Sequence, residues 1–238
     1  MDSLRSVRWA GSGAAVLLAV FAAPWVLFPP PAEENAAPAK RPAVELSPVS
    51  APADAAEEMF AAIDRGELAA RLLPEKDQQA RLELENRTDR PLTVALPPAF
   101  GGRASVLAGV GMPSPQPVGG GMGGGFMSIP PERVGYLRVR TACLDDTKAE
   151  PSPGMVYEVC RIEELARQPG VSKLCAMLGD GKTDRRAVQA AVWHLNCDRS
   201  WPWLSGRLKS CGGPHGTQRL FSRQQIATAR QLAEVAMR

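Results

Sequence analysis

Between Leu137 and Leu144 the side chains alternate, with Leu137, Val139, Thr141 and Cys143 on one side of a pleat and Arg138 and Arg140 on the other. That is the period of a strand with one buried face. It recurs in Ala80, Leu82 and Leu84 against Arg81, Glu83 and Glu85, and again in Leu92, Val94 and Leu96. Asn86-Arg87-Thr88-Asp89-Arg90-Pro91 supplies turn residues between two of these segments and predicts a β-hairpin there. Leu68–Leu73, Ala104–Val110 and Met155–Cys160 are further strand candidates. Past residue 160 the period becomes helical. Val171, Leu174, Cys175 and Leu178 share one face, and Asp184 caps a helix whose inward side is Ala187, Val188, Ala191, Val192 and Leu195. Ser222 with Gln225 forms a capping box for a last helix to Met237. The pattern predicts an α+β fold: a small antiparallel sheet over about 68–160 and a C-terminal helical subdomain, preceded by an N-terminal transmembrane or signal helix.

The segments upstream set the compartment. Arg5 and Arg8 precede 20 positions, Trp9–Phe28, without a charged residue, and 20 helical residues reach about 30 Å, one hydrocarbon core. Basic residues on that flank direct the remainder outward. Residues 1–28 therefore read as a signal-anchor or a cleaved signal peptide, with extracytoplasmic localisation in either case. Residues 29–53 hold seven Pro and seven Ala, a spacer composition with little apolar surface to bury. Residues 54–160 form the β-rich region, with Asp54 capping a short helix through Asp64 and a Gly-rich loop over 109–125, and residues 161–238 form the helical subdomain.

Several function classes drop out. A net charge of +3 is too small to imply nucleic acid. The glycine run 119–125 is followed by Pro130-Pro131 and has no helix to follow it, so it is no phosphate loop, and no cofactor is implied. There is no Gly-x-Ser-x-Gly elbow and no His-Glu-x-x-His, and the adjacent carboxylates Asp145-Asp146 and Glu163-Glu164 point apart. Asn86-Arg87-Thr88 matches a glycosylation sequon, though such a match in a turn is usually only a turn. From Arg199 to Arg238 seven basic residues face Glu234 alone, a solvated basic face with a preference for anionic envelope polymers.

Two constellations could carry chemistry. A cysteine sulfur attacking a glutamine amide expels ammonia and leaves an internal thioester that can capture a nucleophile on a partner. Cys143 ends the alternating strand, and Gln189 shares a helix stripe with Trp193, whose indole would shield the bond. Here the sequence resembles the thioester domains of bacterial surface adhesins, through Cys143 and Gln189-Ala190-Ala191-Val192-Trp193. It has Val188 where that motif has Thr, and the two residues are only 46 positions apart. The plainer reading is a buried thiol, free or disulfide-bonded, and an ordinary Gln beside a packed Trp. His194, about 140° round the helix from Gln189, is poorly placed as a base.

The second constellation is His194-x-x-Cys197 with Cys211-x-x-x-His215, which has metal-ligand spacing. Outside the cytoplasm a Cys197–Cys211 disulfide is the simpler use of those thiols, and Cys160 with Cys175 is the other plausible pair. Five cysteines leave at least one over.

More broadly, residues 57–205 resemble a group of exported bacterial proteins that share the Asn86–Val94 turn, the Gly/Met-rich loop, Cys143-Leu144 and Gln189–Leu195. That resemblance brings no activity with it. The expectation is an exported envelope protein of binding or structural type, without catalysis of its own. Its partners would be the membrane, through residues 9–28, and an envelope protein or polymer. A covalent adhesion domain using Cys143 and Gln189 is the alternative, and a zinc- or disulfide-stabilised interaction module the second.

Overall fold

The computed structural model describes residues 43–50, 56–76, 79–105, 115–210 and 216–238. In chain order they form β1 (Ala43–Glu45), β2 (Pro48–Val49), β3 (Glu57–Glu58), α1 (Met59–Asp64), β4 (Leu68–Pro74), β5 (Gln79–Asn86), β6 (Leu92–Ala95), β7 (Ala99–Ala104), β8 (Val118–Gly121), β9 (Phe126–Ile129), β10 (Val134–Cys143) and β11 (Tyr157–Cys160). A 3₁₀ turn (Ile162–Glu164) leads to α2 (Pro169–Ala176), α3 (Arg185–Cys197), α4 (Trp201–Gly206), β12 (Leu208–Ser210), β13 (Thr217–Arg219) and α5 (Arg223–Ala236).

The alternating strand of the sequence is β10, and its ten residues are long enough to serve two neighbours. One edge takes β5 from Val134 to Arg140; the other takes β8 from Arg140 to Cys143. Following neighbours from β10 through β5, β4, β11, β7 and β8 leads back to β10, and each of the six pairings is antiparallel. The sheet is therefore a closed six-stranded barrel. β1 lies parallel to Val134–Tyr136, on the stretch of edge that β8 leaves unused.

This overturns the α+β expectation of a small open sheet beside a helical subdomain. The described fold is an antiparallel β-barrel with few helices; α1, α2 and α3 lie on the barrel, and α4 and α5 pack on α2 and α3. The N-terminal transmembrane helix is no part of it: among the described residues no helix is long and apolar enough to cross a membrane, and residues 9–28 lie outside them. Three local expectations also change. Asn86–Pro91 does not join a hairpin, because β5 pairs with β4 and β10 while β6 pairs with β9 and β3; the turn instead carries the chain from the barrel to a second, four-stranded sheet. Residues 43–49 of the presumed spacer pair with β10 and β9, with Leu46 buried among barrel residues. Val118–Gly121, expected within a surface loop, is a barrel stave, buried throughout.

Closure gives every stave an inner and an outer face. Register places Leu72, Leu82 and Leu137 side by side within, next to Tyr157, with Ala80 and Val139 as the adjoining pair. The same apolar cluster takes in Met59 and Phe60 of α1 and Leu92, Val94, Met127 and Ile129 of the second sheet. Each fully buried large aliphatic side chain there contributes about 1.5–3 kcal/mol relative to exposure. Asn86, at the rim, is fully buried; its amide nitrogen donates to the carbonyls of Arg90, Ile129 and Pro130, and its oxygen accepts from Thr88. The sequon is thus closed to a glycan in the folded protein.

On the outside, Ala99, Gly119, Gly121 and Ala142 form a nearly side-chain-free wall. A Cβ on Gly119 would stand 2.4 Å from Cys175 Sγ, and one on Gly121 the same distance from the Cys175 carbonyl oxygen and the Gly179 nitrogen. Helix α2 therefore rests directly on the strand backbone. Above it Leu144, Ile162, Leu174, Val188, Val192, Leu204, Phe221 and Ile226 form the second core.

Helix α3 is held at its start by Asp184, as the sequence predicts. One carboxylate oxygen accepts from the amides of Arg186 and Ala187, and Gln225 of α5 donates to the same group. Burial alone would raise its pKa, but the Ala187 amide, the Gln225 carboxamide and the Arg186 amide together hold it below the usual aspartate value. A folded pKa depressed in this way stabilises above the unfolded value and is lost as pH falls through the folded one. Asp184→Ala is expected to cost about 1–2 kcal/mol at neutral pH, and the deficit should shrink as acid protonates the wild-type carboxylate; urea melts of both proteins at pH 7 and in acid check it.

Candidate functional site

Cys143 closes β10 opposite Val118, so its side chain shares the inner face with Thr141 at one mouth of the barrel. Only about 20 Å³ of space remains there. Burial, and then the nearby Glu150 carboxylate, push the thiol up to about 12, against a smaller opposing pull from Arg185. Tyr157 inside the barrel is likewise pushed up to about 12, by burial and then by Cys143. At neutral pH Cys143 is a thiol, and the nucleophile of sulfur chemistry is the thiolate.

The structure does bring Gln189 to Cys143, and by a route that the sequence did not suggest. The Cys143 amide donates to Gln189 Oε1 at 2.8 Å, and Gln189 Nε2 donates to the Cys143 carbonyl at 2.8 Å. Pairing with β5 runs out at Arg140, opposite Gln79, while the next amide, that of Leu144, turns to Pro117 on the β8 side. The carboxamide thus supplies, from a helix, the donor and acceptor that a strand residue would have given. Two buried backbone groups that would otherwise be orphaned are satisfied at once. Asn196 repeats the device one residue on: it donates to the Leu144 carbonyl and accepts from the Arg167 amide.

Trp193, one turn along α3, meets Phe221 edge-on at 5.8 Å between ring centroids. It is 5% exposed, and its indole nitrogen has no hydrogen-bond partner among the described residues. Trp193 and Gln189 line a cleft of about 660 Å³ whose walls include Glu75, Glu150, Lys76 and Arg186. Glu75 and Glu150 also line the barrel mouth above Cys143, so the mouth and this cleft share a wall.

The remaining sequence candidates are dispersed. Cys160 and Cys175 are both free thiols, which corrects the disulfide expected between them. They cover adjacent glycine staves, Cys160 beside Gly101 with Leu165, Cys175 over Gly119 with Ile162, and each is packed in its own aliphatic setting. Cys197 is also a free thiol and donates to the Leu144 carbonyl; its expected partners Cys211 and His215 lie outside the described residues, and so does the pairing with them. His194 places Nδ1 2.8 Å from the Arg199 carbonyl oxygen and stacks on Trp201 at 4.1 Å. Among the described residues no three ligand-type side chains gather as a metal site would need.

Three participants escaped the sequence reading. Glu75 and Glu150 come to line one mouth only because the barrel closes. Asp146, set aside as one of two adjacent carboxylates, is almost fully buried and accepts twice from Arg199 Nε at 3.0 Å. No local signal marks the two glutamates, whereas the excess of arginine after residue 198 was a hint that Asp146 would find a partner. No family model, curated protein or solved structure matches the chain.

Proposed function

We propose that the protein is an exported envelope protein of binding type, which takes a polar ligand in the cleft at the barrel mouth and performs no chemistry of its own. One observation carries this reading: the Trp193 indole N–H, deeply buried beside the cleft, has no acceptor within the described fold. A buried donor left unpaired costs about 1–3 kcal/mol, so a ligand that parts the cleft wall far enough to present an acceptor recovers stabilisation that the fold alone forgoes. Both signs of charge line the cleft, with Glu75 and Glu150 among Lys76, Arg185, Arg186 and Lys209. Such walls suit a peptide segment that carries both charges with its acidic residues in excess. Export rests on Arg5 and Arg8 ahead of the uncharged run 9–28.

The test follows tryptophan emission while short peptides containing both lysine and glutamate are titrated into the full chain. Binding should weaken about ten-fold in Trp193→Phe, which keeps the aromatic contact with Phe221 but removes the donor. Equal affinity in the two proteins, or no binding by either, would retire the proposal.

A further inference from the structure

A second concavity, separate from the barrel mouth, lies between α4, β13 and the start of α5. Its volume is about 250 Å³; Arg219, Arg223 and Arg230 stand around it with Ser205 and Ser222, over a floor of Phe221 and Ile226. No carboxylate lines it. Several arginines elsewhere are matched by carboxylates: Arg71 and Arg81 meet Glu83, Arg103 meets Glu164, Arg161 meets Asp64 and Arg199 meets Asp146. Arg219, Arg223 and Arg230 have no carboxylate partner among the described residues; Arg219 reaches only the Ser205 carbonyl, and Arg230 lies over the Trp201 ring at 5.5 Å.

The charge is also concentrated where the backbone adds to it. Helix α5 begins at Arg223, its first turn holds no acidic residue, and the N-terminal end of a 14-residue helix is itself partly positive. Three guanidinium groups around one pocket at such a point repel one another until an anion enters. Guanidinium forks and the Ser222 hydroxyl, whose oxygen accepts from the Gln225 amide while its proton points elsewhere, match a tetrahedral oxyanion, and the apolar floor matches carbon beside it; the Ser205 hydroxyl already donates to the Trp201 carbonyl.

We propose that this pocket binds a phosphate ester, with the oxyanion held by Arg219, Arg223 and Arg230 and its carbon substituent on Phe221 and Ile226. The chemistry is shared by a free phosphate ester and a phospholipid headgroup.

Calorimetry on the full chain would use three probes: inorganic phosphate, glycerol 1-phosphate, and a short-chain phosphatidylglycerol kept below its micelle concentration. The esters should bind, with affinity falling as salt rises, and Arg219→Gln/Arg223→Gln should weaken them at least about ten-fold. Similar affinity for the two esters identifies a free ester as the source; a lipid at least about ten-fold tighter identifies a headgroup with its chain on the apolar floor. In buffer free of oxyanions the double variant should melt about 1–3 °C higher than wild type, because it relieves repulsion at the start of α5. That readout also establishes that it folds. Absence of binding by all three probes at millimolar concentration, or equal binding by wild type and the folded double variant, would overturn the proposal.

Discussion

Gln189→Leu is expected to remove about 2–5 kcal/mol of stability, among the largest effects of any single substitution outside the barrel core. Leucine nearly matches glutamine in volume, so the loss does not come from a void. It comes from the Cys143 amide and carbonyl, which lie inside the protein and would have no partner once the carboxamide is gone; each buried orphan costs about 1–3 kcal/mol. Gln189→Glu should be nearly as harmful, since a carboxylate accepts from the Cys143 amide but repels its carbonyl. Cys143→Ala, by contrast, removes one sulfur at a tight spot and should cost about 1 kcal/mol. Denaturant melts of the three variants give the ordering. A covalent Cys143–Gln189 link predicts something different, since either substitution would then break the same bond and the two losses would agree. Intact mass supplies the second check. The geometry, with Gln189 bonded to the main chain and the thiol pushed up to about 12, leads to a mass without the loss of an ammonia and unchanged by methylamine. A deficit of one ammonia would reinstate the thioester.

The second large effect belongs to the glycine wall. Gly121→Ala puts a methyl carbon 2.4 Å from the Cys175 carbonyl oxygen and equally close to the Gly179 nitrogen. Both are backbone atoms, so relief requires α2 to lift from the barrel. Overpacking of this kind typically costs about 1–3 kcal/mol, and more when backbone must move; a loss at or above the upper end of that range is expected. Gly206→Ala is the matched control. It ends α4 with nothing within 4 Å of the added carbon, and should be neutral or slightly stabilising. If both variants melt with wild type, α2 is not seated on the strand as described.

Much of the fold was legible one element at a time. The alternation at 80–85 and 137–144 became β5 and β10, while Asp184 and the Ser222–Gln225 box began their helices where the residues indicated. What the sequence concealed was closure. Alternation tells which face of a strand is buried but not which strand lies beside it, so Asn86–Pro91 passed for a hairpin turn when it is a passage between sheets. Glycine was the other blind spot. At Gly119–Gly121 the missing side chains read as loop, because low bulk in isolation has no core to join; their worth appears only when a helix is found against them. The candidate site was half visible. Cys143 and Gln189 were singled out together and do touch, but by main-chain hydrogen bonds that no motif encodes. Trp193 was assigned to shield a bond, and its unpaired donor beside a cleft could be seen only in three dimensions.

The Gln189 clamp also bears on the order in which the protein can be completed. All six barrel staves have been synthesised by Cys160, yet the last stretch of β10 still presents an open edge at Cys143, because the side chain that covers it comes 46 residues after the cysteine. A chain emerging from its N-terminus therefore holds a nearly finished barrel with one unguarded seam, and exposed strand edges invite pairing with another molecule. Truncation before α3 would make that interval permanent. Such fragments should self-associate through the seam, a vulnerability that the intact chain outgrows only when its helices arrive.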